Sequence, residues 1–241
     1  MKKMPVWLSV LAIIFVAPVA ITVFKSLPQY ADFFIRDYTA MRYFWNSALY
    51  ATIIMAFCVL LSFPIGFLFA KIKFRGRDAL FFVYIVVMLL PFQATLLPNF
   101  IQLRDFGLIN TPYALILPML FSPFAVFLFR QFIVGIPNEL LEYATLETSS
   151  VLQMLRYAVL PQLKSAFIAL SVMIFCESWN MVEQAIIFTP DAPDLLPLSV
   201  VLTVLPQDVQ YAGATVYMYP VLIVFILFGK TLEKGVEKYR W

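Results

Sequence analysis

The chain contains no histidine in 241 residues, so a Ser-His-Asp triad, a Cys-His pair and histidine-based metal sites are all excluded. Charge is scarce too. Asp, Glu, Lys and Arg together supply 13% of positions against 63% hydrophobic residues, and a chain of that make-up aggregates unless lipid solvates it. The two cysteines, Cys58 and Cys176, both sit inside long apolar runs, where small apolar thiols are expected rather than a disulfide or a metal pair. A nucleotide-binding loop is missing as well. Gly229-Lys230-Thr231 has the ending of one, but Val224 stands where the motif requires Gly, and an apolar run precedes it instead of a strand and turn. No cofactor is therefore expected on this chain.

What remains is apolar sequence in long blocks. Runs near 5–26, 46–70, 79–99, 112–133, 163–188 and 213–229 are each about the 20 residues that a helix needs to cross a hydrocarbon core. They are continuous rather than alternating, which favours helices over barrel strands, because lipid forces each segment to satisfy its own backbone groups. The expectation is an all-α polytopic membrane protein, one domain over 1–241, with six transmembrane helices. Counted from a cytoplasmic N-terminus, Lys2, Lys3, Lys71, Lys73, Arg75, Arg77, Arg130, Arg156, Lys164, Lys230, Lys234, Lys238 and Arg240 fall inside, and Lys25, Arg36, Arg42 and Arg104 outside. That excess places both termini in the cytoplasm of a cell (inner) membrane protein. The first run has some features of a secretory signal, with Ala17-Pro-Val-Ala20 as a loose cleavage site, but the Pro is wrong for cleavage and the apolar run continues through Phe24.

Between the fourth and fifth runs lies a polar loop, 134–162, with its own helical punctuation. Pro137 suits a first helical turn, Glu139 and Glu142 sit where the helix dipole favours anions, and Leu140, Leu141 and Ala144 make a short apolar stripe. Ser150 and Gln153 have capping-box spacing, so a second short helix is expected from Val151 to just before Pro161. A half-apolar helix pair facing water reads as a docking surface. The alternative is a helix lying on the membrane surface, against which acidic residues in its first turn argue.

The order Glu142-x-Ala144, Glu147 and Leu160-Pro161 resembles the "EAA" loop of ABC importer permeases. Pro91-Phe-Gln93, Leu97-Pro98, Phe106-Gly-Leu-Ile-Asn-Thr111, Phe127-Leu-Phe-Arg-Gln-Phe132, Ile136-Pro137 and Trp179-Asn180 resemble the carbohydrate-type permeases of the maltose-permease kind, over roughly 45–190. The resemblance implies the type I importer permease fold and a division of labour. A cytoplasmic ATPase dimer, carrying ATP and Mg, would bind the loop; a second permease would complete the channel; an extracytoplasmic solute-binding protein would deliver the solute. Glu139, Leu140, Leu141, Glu142, Ala144, Leu146, Glu147 and Thr148 are the coupling residues it implies, the leucines and alanine seated in the ATPase groove and Glu142 at its rim. Three positions depart from the pattern: Tyr143 replaces Ala, Glu147 replaces Asp, and Thr148 stands where the family has Gly. Either the turn after the first helix is built differently, or Thr148 is strained in a left-handed conformation.

Within the fifth run, Glu177, Asn180, Glu183 and Gln184 interrupt the apolar pattern. On a continuous helix Glu177 and Gln184 nearly superpose, Asn180 lies within about 60° and Glu183 within about 120°, so they share one face. An ionisable group near the bilayer centre must line water or find a partner. These four and Trp179, whose ring either stacks on a sugar or packs between helices, are the expected substrate pathway; interhelical hydrogen bonding is the alternative for the carboxylates. Tyr211, Tyr217 and Tyr219 add aromatic surface at the outer end of the sixth run, more in keeping with an interfacial belt than with a site. Prolines 64, 91, 98, 118, 123 and 220 predict kinks. The segment 190–205 is too short to span and is expected as an external or re-entrant helix offering a contact to the delivery protein. The function that follows is half of an importer's pathway for a carbohydrate, not an enzyme. The competing readings are a permease for a charged glycan fragment or polyamine, and a non-transporting scaffold. Lipid surrounds the chain, and no nucleic-acid partner is expected.

Overall fold

The computed structural model describes residues 6–36, 38–148, 150–207 and 209–237. They form α1 (Val6–Ser26), α2 (Tyr38–Lys71), α3 (Arg77–Met88), α4 (Phe92–Asp105), α5 (Pro112–Ile116), α6 (Pro123–Val134), α7 (Asn138–Glu147), α8 (Val151–Met154), α9 (Lys164–Trp179), α10 (Glu183–Phe188), α11 (Leu198–Val201) and α12 (Gln210–Glu237). Lys2, Lys3, Lys238 and Arg240, used above to orient the chain, lie outside the described residues.

The six-span expectation is corrected by these helices. Among the described residues four stretches are long and apolar enough to cross a membrane: Ala40–Lys71, Pro112–Val134, Val151–Trp179 and Gln210–Gly229; a fifth arises only if the bent pair α3–α4 is one span. The first apolar run contributes a shorter stretch, Ile13–Gln29. Four crossings, like six, leave the two ends on one side of the membrane, whereas five would part them.

Each departure has a local cause. The run 79–99 is broken because Pro91 has no N–H to continue α3 and holds an extended backbone (φ −63°, ψ 140°); α4 leaves at 95° to α3. The run 163–188 stops at Trp179, and the chain passes through Asn180 to Val182 before α10 begins. At its other end the fifth span starts early: α8 runs on through a π-turn at Leu155–Val159 and a tight turn at Leu160–Leu163 into α9. The second loop helix therefore does not stop before Pro161. The wider π-turn lets the helical path carry on past a residue that cannot donate. Pro64 and Pro220 sit inside α2 and α12, whereas Pro123 takes the first position of α6 beneath Ser122, whose hydroxyl accepts from the Ala125 N–H at 3.3 Å.

The core lies where α2 packs against α6 and α9. Gly66 of α2 permits the closest approach, since a Cβ there would stand 2.7 Å from the Phe129 Cβ. Phe63, Phe129 and Phe167, one from each helix, meet with ring centroids 4.8 to 5.7 Å apart, within the range aromatic pairs favour. A second cluster joins Phe33, Ala40, Val201, Leu205 and Ala212, and places Val201 and Leu205 against α12. Helix α1 runs along α12, tied by Gln29, whose side-chain oxygen accepts the free N–H groups of Tyr211 and Ala212 at 2.9 and 3.1 Å and so caps the start of α12. Large apolar side chains such as Ile13, Phe15, Leu60, Phe82, Phe225 and Ile226 point outward, as lipid rather than water requires.

The two ends of the bundle are chemically distinct. At one, Lys71 donates to the Ile136 carbonyl at 2.5 Å and to Asn138 at 2.9 Å, joining the α2–α3 turn to the loop before α7. At the other, the segment 190–198 is bound to α2: Asn46 donates to the Asp194 and Leu196 carbonyls, Tyr50 to that of Leu195, Arg42 pairs with Asp194 at 2.5 Å, and Ser47 accepts from the Leu198 N–H. The short helix expected in that segment is α11, with a single tight turn at Pro193–Leu195 before it.

Candidate functional site

Two cavities adjoin where α9 breaks. The larger, about 520 Å³, is lined by Phe92, Gln93, Met119, Cys176, Glu177, Asn180, Met181, Val182, Glu183 and Gln184. The other, about 360 Å³, shares Phe92, Met119, Glu177 and Gln184 and adds polar groups from Cys58, Thr95, Asn99, Ser122 and Ser178. The expected polar residues are thus gathered, though by a different route from the one the sequence suggested. They belong to two helices with an irregular joint between them, so they do not form a stripe on one continuous helix.

Each side chain has a distinct setting. The Glu183 carboxylate accepts from the Gln93 amide, with both oxygens at 3.4 Å. Gln184 is buried and donates to the Met119 sulfur at 3.1 Å. Asn180 donates to the Cys176 carbonyl at 2.7 Å and accepts from the Tyr217 hydroxyl at 2.7 Å, which pins the joint to α12. Glu177 has no hydrogen bond or ion pair with any described residue. Trp179 does not reach the cavity. It is 0% exposed and is enclosed by Phe44, Phe175 and Tyr217, with ring centroids 5.5 to 5.8 Å away, so packing rather than a sugar ring occupies its faces. Tyr217 belongs to the same contact, while Tyr219 shares a 2.5 Å hydrogen bond with Tyr30.

Sequence reasoning passed over Thr95, Asn99 and Ser178 and used Gln93 only as part of a motif. The signal for the first two was a polar residue every fourth position in an apolar helix, which puts both on one face; Ser178 carried no signal apart from its neighbours. Among the described residues no group of three Cys, Asp or Glu side chains is placed to hold a metal ion. The two cysteines are free, Cys176 beside the larger cavity and Cys58 beside the smaller.

In the loop, Glu139, Leu140, Leu141, Glu142, Ala144, Leu146 and Glu147 all lie on α7, but they do not share a surface. Leu140 and Leu141 pack against the chain's own core. The apolar side chains left free are Tyr143 at 69% exposure and Leu146 at 83%, with Val151 and Leu152 of α8 beside them in sequence at 64% and 76%. Thr148 is not strained. Its backbone is extended (φ −146°, ψ 137°), and its hydroxyl builds the turn by donating to the Gln153 side-chain oxygen at 2.5 Å and accepting from the Ser150 N–H at 3.1 Å. The Ser150 hydroxyl completes the cap on Gln153 N–H at 3.5 Å.

A bundle of long apolar helices with a polar cavity at a helix break and a polar helix pair at one end defines a polytopic membrane transport component. The chain belongs to the binding-protein-dependent transport system inner membrane component family, whose model matches residues 62–238. It is therefore a multi-pass ABC transporter permease and not an enzyme. It is 27% identical over 214 residues to the arabinooligosaccharides transport system permease protein AraQ of Halalkalibacterium halodurans, covering 85% of this chain and 77% of that one. It is 30% identical over 206 residues to the sn-glycerol-3-phosphate transport system permease protein UgpE of Brucella melitensis, covering 81% and 72%, and 28% identical to the lactose transport system permease protein LacG of Rhizobium radiobacter, covering 80% and 72%. Its fold is similar to a chain of a bacterial ABC transporter involved in the import of the acidic polysaccharide alginate, with a TM-score of 0.84 over 93% of each chain and 19% identity.

Proposed function

We propose that this chain forms one half of the translocation pathway of a carbohydrate importer, with the cavity at the α9–α10 joint as its solute-facing wall and the loop 137–161 as its contact with a separate ATPase. The observation that carries the reading is the convergence of Glu177, Asn180, Glu183 and Gln184 on one cavity, since polar and ionisable groups are costly at membrane depth unless they line water or a solute path. Relatives named for arabinooligosaccharides and lactose support a sugar as cargo.

The direction of coupling follows from charge. The Lys71 contacts with Ile136 and Asn138 bring the α2–α3 turn and the loop to one end, so Lys71, Lys73, Arg75, Arg77, Arg156 and Lys164 gather there. That excess favours the cytoplasmic side. An ATPase groove would receive Tyr143 and Leu146 from α7, and Leu152 from α8, with Glu142 and Glu147 at the rim; exposed aromatic and aliphatic anchors are the side chains that carry binding energy in such interfaces. A second permease would complete the channel and an extracytoplasmic binding protein would deliver the solute.

The test is purification of the chain from its native membrane with uptake measured in parallel. An ATPase, a second permease and a binding protein should accompany it, and Glu177→Gln with Glu183→Gln should reduce uptake at least tenfold while leaving the same partners bound. Recovery of the chain alone, or uptake unchanged by both substitutions, would remove the proposal.

A further inference from the structure

We infer that the cavity at the α9–α10 joint accepts a hydroxyl-bearing solute that carries an ammonium group, with Glu177 as its counter-charge; the inference rests on the pathway reading above and names the class of solute. Glu177 lines both cavities and Glu183 the larger one, and neither cavity is lined by any Lys or Arg among the described residues. The two acids are not equivalent. Glu183 is held by the Gln93 amide, whereas Glu177 has no partner and lies where the two cavities join. A carboxylate at membrane depth must line water or find a partner, and the described residues of this chain that line the cavities beside Glu177 include no cation.

A second, independent group points to the same occupant. Ser178 is 2% exposed, its Oγ has no hydrogen-bond partner, and it lines the smaller cavity with Thr95, Asn99 and Gln184. Buried hydroxyls left unpaired are costly; the Oγ itself has almost no accessible surface, so a solute hydroxyl relieves that cost once the Ser178 side chain turns toward the cavity it lines. Phe92, on the wall of both cavities, offers an apolar face to a sugar ring. Hydroxyls, a flat apolar face and one positive charge describe an aminated sugar. An acidic sugar or a phosphorylated polyol would meet two carboxylates with no cation to offset them.

Cys176 lines the larger cavity next to Glu177 and serves as a reporter. In native membrane vesicles holding the assembled importer with Cys58→Ser, the rate at which methyl methanethiosulfonate modifies Cys176 is measured with and without a glucosamine disaccharide, and again with its N-acetylated, uncharged counterpart. The ratio is read within each variant, so a change in the reactivity of the thiol itself cancels. The aminated disaccharide should slow modification at least fivefold at a concentration where the acetylated one has no effect, and Glu177→Gln should abolish that protection. Equal protection by both sugars, or protection that survives Glu177→Gln, would overturn the ammonium assignment and leave the sugar pathway standing. Modification slowed by neither sugar would overturn the ammonium assignment, and uptake unaffected by Glu177→Gln together with Glu183→Gln would separately remove the pathway. If the thiol does not react at all, the cavity is closed to solutes and the inference is overturned.

Discussion

Trp179 and Tyr217 are joined twice: the indole nitrogen donates to the Tyr217 carbonyl at 3.1 Å, and the Tyr217 hydroxyl shares its one proton between the Asn180 side-chain oxygen at 2.7 Å and the Trp179 carbonyl at 3.2 Å. The pair is also stacked, with centroids 5.5 Å apart. It fastens the end of α9 to α12 at the point where α9 breaks, and so fixes the joint that carries Glu177 and Glu183.

Removing this anchor should cost stability first and transport only in consequence. Trp179→Ala empties a fully buried site, a change worth about 3–5 kcal/mol, and should sharply lower the melting temperature of the detergent-solubilised protein. Trp179→Phe keeps most of the volume and loses one hydrogen bond, about 1 kcal/mol, and should retain more than half of wild-type uptake. A folded Trp179→Phe protein without uptake would mean that the indole contacts the solute after all.

How much of this was legible in the sequence depends on range. Composition and run length settled that the chain is helical and lipid-solvated, because hydrophobicity is additive along a segment. The resemblance to ABC importer permeases is matched by the family to which the chain belongs, at that level and not at the finer one of the maltose-permease kind. The count of spans failed because run length does not report where a helix breaks. Pro91 stops one helix and starts another at 95°, whereas Pro64 and Pro220 are carried inside α2 and α12; the difference lies in what packs around each. In the same way, Leu140 and Leu141 look like a docking stripe in sequence and prove to be core contacts, since periodicity gives a face but not its partner.

Gly66 illustrates a requirement that only packing exposes. A Cβ at this position meets the Phe129 Cβ at 2.7 Å, the Arg130 nitrogen at 3.1 Å and the Val126 carbonyl at 3.2 Å. Gly66→Ala gains up to about 1 kcal/mol of helix propensity, yet forces α2 and α6 apart at about 1–3 kcal/mol. A net loss of thermal stability is expected. Phe129→Ala should not rescue it, because the clash is with a Cβ that alanine keeps; rescue would show that ring volume, not backbone approach, limits the contact.

At Thr148 the resemblance to the family and the structure suggest opposite outcomes for one substitution. Were the residue left-handed, Thr148→Gly would relieve strain. Its extended backbone gives glycine no such gain, and the substitution removes the hydroxyl that holds Gln153 and Ser150. Loosening of the α7–α8 turn by about 1–2 kcal/mol is expected, read as faster proteolysis of the loop in membrane vesicles. Slower proteolysis would contradict the extended turn.

The loop also allows docking to be separated from folding. Leu140 and Leu141 pack on the core, so placing Asp at both buries charge where apolar contacts were, and several kcal/mol of destabilisation should appear as lost yield whether or not an ATPase is present. Leu146 and Tyr143 touch solvent over most of their surface, so Leu146→Asp with Tyr143→Asp should leave the melting temperature within about 2 °C of wild type, as surface changes usually do. The same double variant should lose the co-purifying ATPase, because it puts two charges into the apolar patch that the groove would bury. ATPase retained at wild-type stoichiometry by this variant would move the coupling contact elsewhere on the chain. ATPase lost from the core variant would add nothing, since an unfolded loop binds no partner.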